Sequence, residues 1–221
     1  MIIELIDEAL IAHQFVKEFE TDITRYYKRE VGDAIRFAIL HRLDELSMPK
    51  ELNSVIIQSA PDIFTNDPSY KKNCDLICIH HLKQLSEFKM HEEEIFAIEE
   101  DPYHFKKYVL YYSDAEAKVL QDQSYEKIHA TITNKELFNE YKTKPLTATQ
   151  YSVAAKIFIK LPFLELPFIK RDLVPLRLQT EEAVSEEGLT KTYESILKFS
   201  NANVDDLIKE MISDELANIQ N

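Results

Sequence analysis

Pro61 and Asp62, followed by Glu87, Phe88 and Lys89, reproduce the PD…ExK arrangement of metal-dependent nucleases. In such a site two carboxylates hold Mg²⁺ and a lysine positions the attacking water. Asp62, Glu87 and Lys89 are therefore the candidate catalytic set of a Mg-dependent nuclease. That chemistry needs them on adjacent strands, whereas 82–89 reads as helix. Glu-x-Lys also recurs at Glu116/Lys118 and Glu140/Lys142, a sign of how readily this acidic chain generates the pattern. Cys74, Cys78, His80 and His81 offer four nitrogen or sulfur ligands within eight residues. Structural zinc sites draw ligand pairs from separate segments, so one cramped cluster reads as two buried thiols and two ordinary histidines. His91-Glu-Glu-Glu94 is not the metalloprotease H-E-x-x-H, because position 95 is isoleucine. No cofactor, metal site or catalytic set is expected beyond the nuclease alternative.

Other residues suit recognition better than catalysis. The basic pairs Lys106/Lys107 and Lys170/Arg171 could meet a phosphate backbone or an acidic partner surface, or stand as solvated charges. The segment 161–168 presents Phe163, Leu164, Leu166 and Phe168 on a backbone held extended by two prolines. Such a preorganised apolar strip fits a partner's groove, or packs onto its own domain.

Composition excludes several classes. With 221 residues the chain can bury a real core, as one domain or two. It has only two glycines, Gly32 and Gly188, which excludes a P-loop or a dinucleotide fingerprint and argues against a hairpin-rich all-β fold. A net charge of −13 makes generic nucleic-acid binding unexpected, although a local basic patch remains compatible with it. The first ten residues carry Glu4, Asp7 and Glu8 and lack a basic n-region, so they do not read as a signal peptide. No apolar run approaches a membrane span. Two cysteines without a secretory signal point to a reducing cytoplasm.

The elements that must position these residues follow from periodicity. Residues 2 to about 19 predict one helix, and apolar spacing predicts a second from Ile23 or Glu30 to Leu46, ended by Pro49. Leu52 to Phe64 is mixed, Asp75–Ile79 reads as a strand and His81–Phe88 as a short helix. Glu92–Glu99 reads as a helical turn. The stretch Glu99–Ser113, EEDPYHFKKYVLYYS, contains the clearest strand, from Tyr108 to Tyr112, apolar enough to be covered on both faces. Asp114–Leu120 predicts a short exposed helix. The boxes Thr133…Glu136 and Thr147…Gln150 start helices near 134–142 and 148–160. Pro175 begins a helix running to about Glu187, with Gly188 past its end. Thr190–Phe199 and Asn203–Ile219 close the chain as helices. The expected fold is α+β and predominantly α-helical, with amphipathic helices and a small sheet near the middle. The expected division is 1–90 and 91–221, or a single domain.

Two segments carry a resemblance: DPYHFKKYVLYY at 101–112 and KLPFLELPFIKRDLVPLR at 160–177. Together they resemble the small middle component of bacterial three-component ABC-ATPase systems, among them the Lamassu or DdmABC type of anti-phage and anti-plasmid defence. The resemblance implies a non-enzymatic accessory subunit, encoded between a nuclease-type effector and an SMC-like ATPase. It would bind that ATPase and help couple DNA sensing to control of the effector nuclease, touching DNA indirectly through the complex. On this view Tyr108, Tyr111, Phe163, Leu164, Leu166 and Phe168 are the expected partner surface. Lys106, Lys107, Lys170 and Arg171 are the expected contacts to DNA or an acidic partner.

Overall fold

Gly32, at φ 59°, reverses the chain between Val31 and Ala34. A two-residue loop with glycine first is the turn whose twist matches a right-handed hairpin. It joins β2 (Thr24–Val31) to β3 (Ala34–Leu43), which pair antiparallel from Thr24↔His41 to Val31↔Ala34. The helix expected from Ile23 or Glu30 to Leu46 is therefore a β-hairpin. The physical reason lies in burial. Ala38 and Leu40 face one core while Phe37 and Ile39 face another. A strand covered on both sides loses its alternation, and an almost unbroken apolar run satisfies helical spacing by accident.

The chain is seen here as a computed structural model that describes residues 2–145, 147–166, 175–197, 204–206, 208–209 and 212–213. It divides into two compact units, Met1–Phe168 and Ile169–Asn221. In the first, α1 (Ile2–Ala12) ends sooner than the sequence suggests. Gln14 takes φ 65°, and Phe15 N–H returns to the Leu10 carbonyl at 3.0 Å while Gln14 N–H reaches Ile11 at 3.0 Å. This is a Schellman turn built without glycine, so its usual signal is missing. The chain leaves it as β1 (Val16–Glu20), an exposed edge strand with a bulge between Lys17 and Phe19.

Pro49 does not stop a helix but opens α2 (Pro49–Ser59), where a missing N–H costs nothing. After the one-turn α3 (Asp62–Thr65) comes β4 (Cys74–Leu82), parallel to β3. A 3-10 turn at Leu85–Glu87 leads into α4 (Phe88–Glu100), and β5 (Lys106–Ser113) lies parallel to β4. The sheet order is β1-β2-β3-β4-β5, antiparallel in its first half and parallel in its second. Residue 90 falls inside α4, between two paired strands, so one sheet spans the division expected there.

Four helices follow: α5 (Asp114–Val119), α6 (Tyr125–Thr133), α7 (Lys135–Thr143) and α8 (Gln150–Lys160). Of these, α6, capped by Ser124, is not expected from the sequence, while α7 and α8 start on side chains close to those expected. Asn134, not Thr133, caps α7 by accepting from Glu136 and Leu137 N–H, and Thr149 with Ser152, not Thr147 with Gln150, forms the box of α8. One core packs α1, α6 and α8 against Tyr27, Leu40, Ile77, Ile79 and Leu110. The other packs α2, α3 and α4 against Tyr26, Phe37, Ile39, Leu76 and Val109. The fold is α+β, predominantly helical, with a five-stranded sheet between two helical layers.

In the second unit α9 (Leu176–Glu186) ends on Gly188 at φ 68°, with Leu189 N–H returned to the Val184 carbonyl at 2.9 Å, and α10 (Thr190–Leu197) follows. The cap expected at Asn203 lies outside the described residues.

Two tests follow from the hairpin. A Cβ at Gly32 meets nothing within 4 Å, so Gly32→Ala should cost only backbone strain, about 1 kcal/mol in urea denaturation, and Gly32→Asn less. His41 is buried and its Nδ1 shares a 2.7 Å hydrogen bond with Thr24 Oγ1. Burial holds its imidazole down at about 4. Between pH 6.5 and 4 the unfolded chain takes up a proton that the folded one refuses, so stability falls as pH drops through that window. Denaturation at pH 7 and pH 4.5 should show a loss of about 2 kcal/mol that His41→Gln lacks.

Candidate functional site

The parallel register sets the starts of β4 and β5 beside the middle of β3. Ala38 lies opposite Asp75, and Asp75 opposite Lys106. Alternation along each strand turns Arg36, Asp75, Lys106 and Tyr108 toward the same face as Leu40, Ile77 and Leu110. The α1–α6–α8 core lies further along these strands, and a cavity of about 590 Å³ opens at their starts. It is lined by Asp33–Arg36, Asp67, Ser69, Lys72–Asp75 and Lys106.

Asp75 is 3% exposed in this cavity. Arg36 Nη2 donates to its Oδ2 at 2.9 Å. Burial pushes the Asp75 carboxyl up from its usual range, against the pull of Arg36 and Lys106. Arg29 lies opposite Arg36 across the hairpin, its guanidinium 4.7 Å from the Phe15 ring centre and Nη1 bonded to the His13 carbonyl at 3.3 Å. Burial and the neighbouring Arg36 both lower its affinity for its proton. Asp67 is turned inward on Ser69, accepting its N–H at 2.9 Å and its hydroxyl at 2.6 Å. Lys72 and Lys106 are exposed and have no ion pair among the described residues. Two unpaired ammonium groups and the Arg36 guanidinium, itself paired with Asp75, thus share this recess with Asp33, Asp67 and Asp75. Such a set can take a carboxylate or phosphate oxygen from a macromolecular partner.

The residues expected to meet a partner are distributed differently. Lys106 and Tyr108 belong to this basic end. Burial raises the Tyr108 phenol, with Asp75 adding to the effect. Tyr111 faces the other way, stacked 4.5 Å from Phe88, with the Lys156 ammonium 4.6 Å from its ring centre. Lys107 is not a surface cation. Its ammonium is fully buried, donating to Asp101 Oδ2 at 2.7 Å and to the carbonyls of Tyr103 at 2.6 Å and Phe105 at 3.1 Å. It staples the 101–105 loop, because the strand's alternation turns it inward.

Phe163 and Leu164 are likewise corrected: both are buried in the chain's own core. Phe163 lies 5.4 Å from the Phe15 ring and 5.5 Å from that of His13. Pro162 and Phe163 form a turn in which Leu164 N–H donates to the Leu161 carbonyl at 3.1 Å, not the extended strip expected, and the helical layer over the sheet absorbs the apolar side chains. Leu166 is exposed, while Phe168, Lys170 and Arg171 lie outside the described residues.

The nuclease set is not assembled. Asp62 begins α3, whose Phe64 packs on Phe37, the partner of Cys74 at the start of β4. Glu87 sits beyond the end of β4, accepting Lys83 N–H at 2.9 Å, and Lys89 is on α4, paired with Glu92. The length of β4, nine residues or roughly 30 Å, separates the two groups. Cys74 and Cys78 both point into the α2–α3–α4 core, where burial raises the Cys78 thiol to about 12 and Cys74 well above its usual value. Among the described residues no three His, Cys, Asp or Glu side chains are grouped to hold a metal ion.

Arg36, Lys72 and Asp75 are the residues that the sequence did not single out. The local mark of Arg36 and Asp75 is a charge at the head of an apolar run, as in Asp75 before Leu76–Ile79; strand register brings these two together and the turn before β4 adds Lys72.

Residues 36–140, from within β3 to within α7, match the family described as "ABC-three component (ABC-3C) system Middle Component 1". The basic end, with Arg36, Lys72, Asp75 and Lys106, lies inside that match. No curated protein and no solved structure matches the chain.

The Lys107 staple has a measurable consequence. Lys107→Met leaves Asp101 and two carbonyls without their cation, and should cost about 3 kcal/mol in denaturation, far more than Lys106→Met. Burial alone would raise Asp101, but the bonds from Lys107 and Asn53 outweigh it and hold its carboxyl below the ordinary value. That contribution is present above the unfolded carboxylate pKa, near about 4, and is lost as pH falls through the folded value. Asp101→Asn should therefore be less stable at neutral pH and show a shallower acid limb.

Proposed function

We propose that this chain is the middle component of an ABC-three component system and serves there as a non-catalytic accessory subunit. The observation that carries the reading is the match of residues 36–140 to middle component 1 of such systems. In its finer form the reading is of a Lamassu or DdmABC-type complex in the cytoplasm. The subunit binds an SMC-like ABC ATPase and helps couple DNA sensing to control of an effector nuclease. DNA is reached through the complex rather than by this acidic chain alone.

The placement of charge supports an adaptor. The buried carboxylates Asp75 and Glu116 each meet a cation. Lys72 and Lys106 instead remain free at the rim of the basic end. Among the described residues, no helix is long and apolar enough to cross a membrane. Arg36, Lys72 and Lys106 are assigned to an acidic patch on the ATPase.

Co-purification with the genomic neighbours tests this. Tagged wild type should retain the ATPase, and a Lys72→Glu/Lys106→Glu double variant that keeps its circular dichroism should retain about tenfold less. If wild type recovers no ATPase, the accessory reading fails. Cleavage of DNA by the lone protein in Mg²⁺ but not in EDTA would replace it with a nuclease.

A further inference from the structure

Toward the opposite end of β3 from the basic cluster, the start of α2 and the outer face of α4 enclose a second recess, of about 470 Å³. Its floor is apolar: Leu46, Met48, Pro49 and Ala97. Met48 is 68% exposed, an unbranched thioether side chain left in solvent beside this floor. Four carboxylates stand around it, from Glu45, Glu51, Glu93 and Glu94. Glu94 accepts from His91 Nδ1 at 3.1 Å. Glu45, Glu51 and Glu93 have neither hydrogen bond nor ion pair through their side chains among the described residues.

We propose that this recess docks a basic amphipathic helix of a partner protein. An apolar floor takes one or two aliphatic or aromatic side chains from such a helix, and Met48 can adapt its rotamers to them. The carboxylate rim selects for lysine or arginine one turn away on the same face. Charge decides among the occupants. A second copy docked symmetrically would bring an identical ring of carboxylates, and one docked through Lys72 and Lys106 would offer lysines on a loop and a strand rather than on a helix; nucleic acid would be repelled by the carboxylates. The assignment rests on the accessory reading only for which component supplies the helix.

The direct test uses a synthetic helical peptide with leucines flanked one turn away on the same face by lysines, beside a counterpart with glutamate in place of lysine. Binding to the full chain is followed by fluorescence anisotropy and by amide chemical shifts. The lysine peptide should bind and shift Leu46–Glu51 and Glu93–Ala97, and the glutamate peptide should not bind. Glu51→Lys/Glu93→Lys, both at exposed positions, should weaken binding about tenfold, and Met48→Asp should weaken it as well. Lys72→Glu/Lys106→Glu should not weaken it.

The proposal is overturned if the lysine peptide does not bind, or binds the recess variants as well as wild type. Sedimentation of a wild-type dimer that Met48→Asp dissolves would overturn it in favour of self-association. Retention of the ATPase is read separately. Its absence counts against the accessory reading and leaves the peptide result standing.

Discussion

A parallel strand at the margin of a sheet must end its hydrogen-bond ladder on something other than another strand. In β5 that role falls to side chains. Val109 N–H donates to Glu99 Oε1 at 2.8 Å, Ser113 N–H to Glu116 Oε2 at 3.0 Å, and the Tyr111 carbonyl accepts from Lys156 at 3.3 Å. The two carboxylates are themselves neutralised from α8, Glu99 by Lys160 and Glu116 by Lys156 at 2.7 Å. Lys156 and Lys160 are one helical turn apart, so a single face of α8 completes both pairs. The carboxylate of Glu116 is 2% exposed, a burial tolerable only because each of its oxygens is satisfied. The edge closure thus fixes α4, α5 and α8 to the strand that carries the basic end. The other edge is handled by composition: β1 is short, bulged and carries Lys17, Glu18 and Glu20.

How much of this was legible depends on which force set each element. The helices α5, α7, α8, α9 and α10 stand within a few residues of where the sequence puts them, whereas α6, capped by Ser124, is not expected from it. Their caps are chemistry between neighbours, although Asn134 and Thr149 won over the nearby Thr133 and Thr147. The strands β4 and β5 were visible as apolar runs rich in β-branched and aromatic residues. The hairpin was not, because Tyr26 and Tyr27 face opposite cores and Ala34–Leu43 is apolar on both sides. Gly32 was the one local clue there. The end of α1 was hidden for a different reason: Gln14 holds a conformation usually given to glycine.

The site divides along the same line. Lys106 and Lys107 are indistinguishable in sequence, yet strand alternation sends one into solvent and the other into a cage of carbonyls. The extended backbone expected of 161–168 is instead a turn at Pro162–Phe163, closed by Leu164 N–H on the Leu161 carbonyl at 3.1 Å, and Phe163 and Leu164 turn inward with it. The space between Phe15, His13 and the helical layer receives Phe163. Arg36 and Asp75 come together through strand register, and Lys72 reaches them from the turn before β4, an arrangement of the whole sheet and of no single window.

Charge is the property that survives from sequence to surface. A net −13 spread evenly would present one repulsive face to every partner. The fold instead gathers Arg36, Lys72 and Lys106 at the start of the parallel strands, and leaves Glu45, Glu51 and Glu93 around an apolar recess beyond the end of β3. One recess offers two unpaired lysines among Asp33, Asp67 and Asp75, the other unpaired carboxylates over an apolar floor, so the two do not compete for the same ligand. Unlike surfaces fix orientation as well as attachment: a chain that met its neighbours through like surfaces could be inserted either way round, whereas unlike ones admit one arrangement.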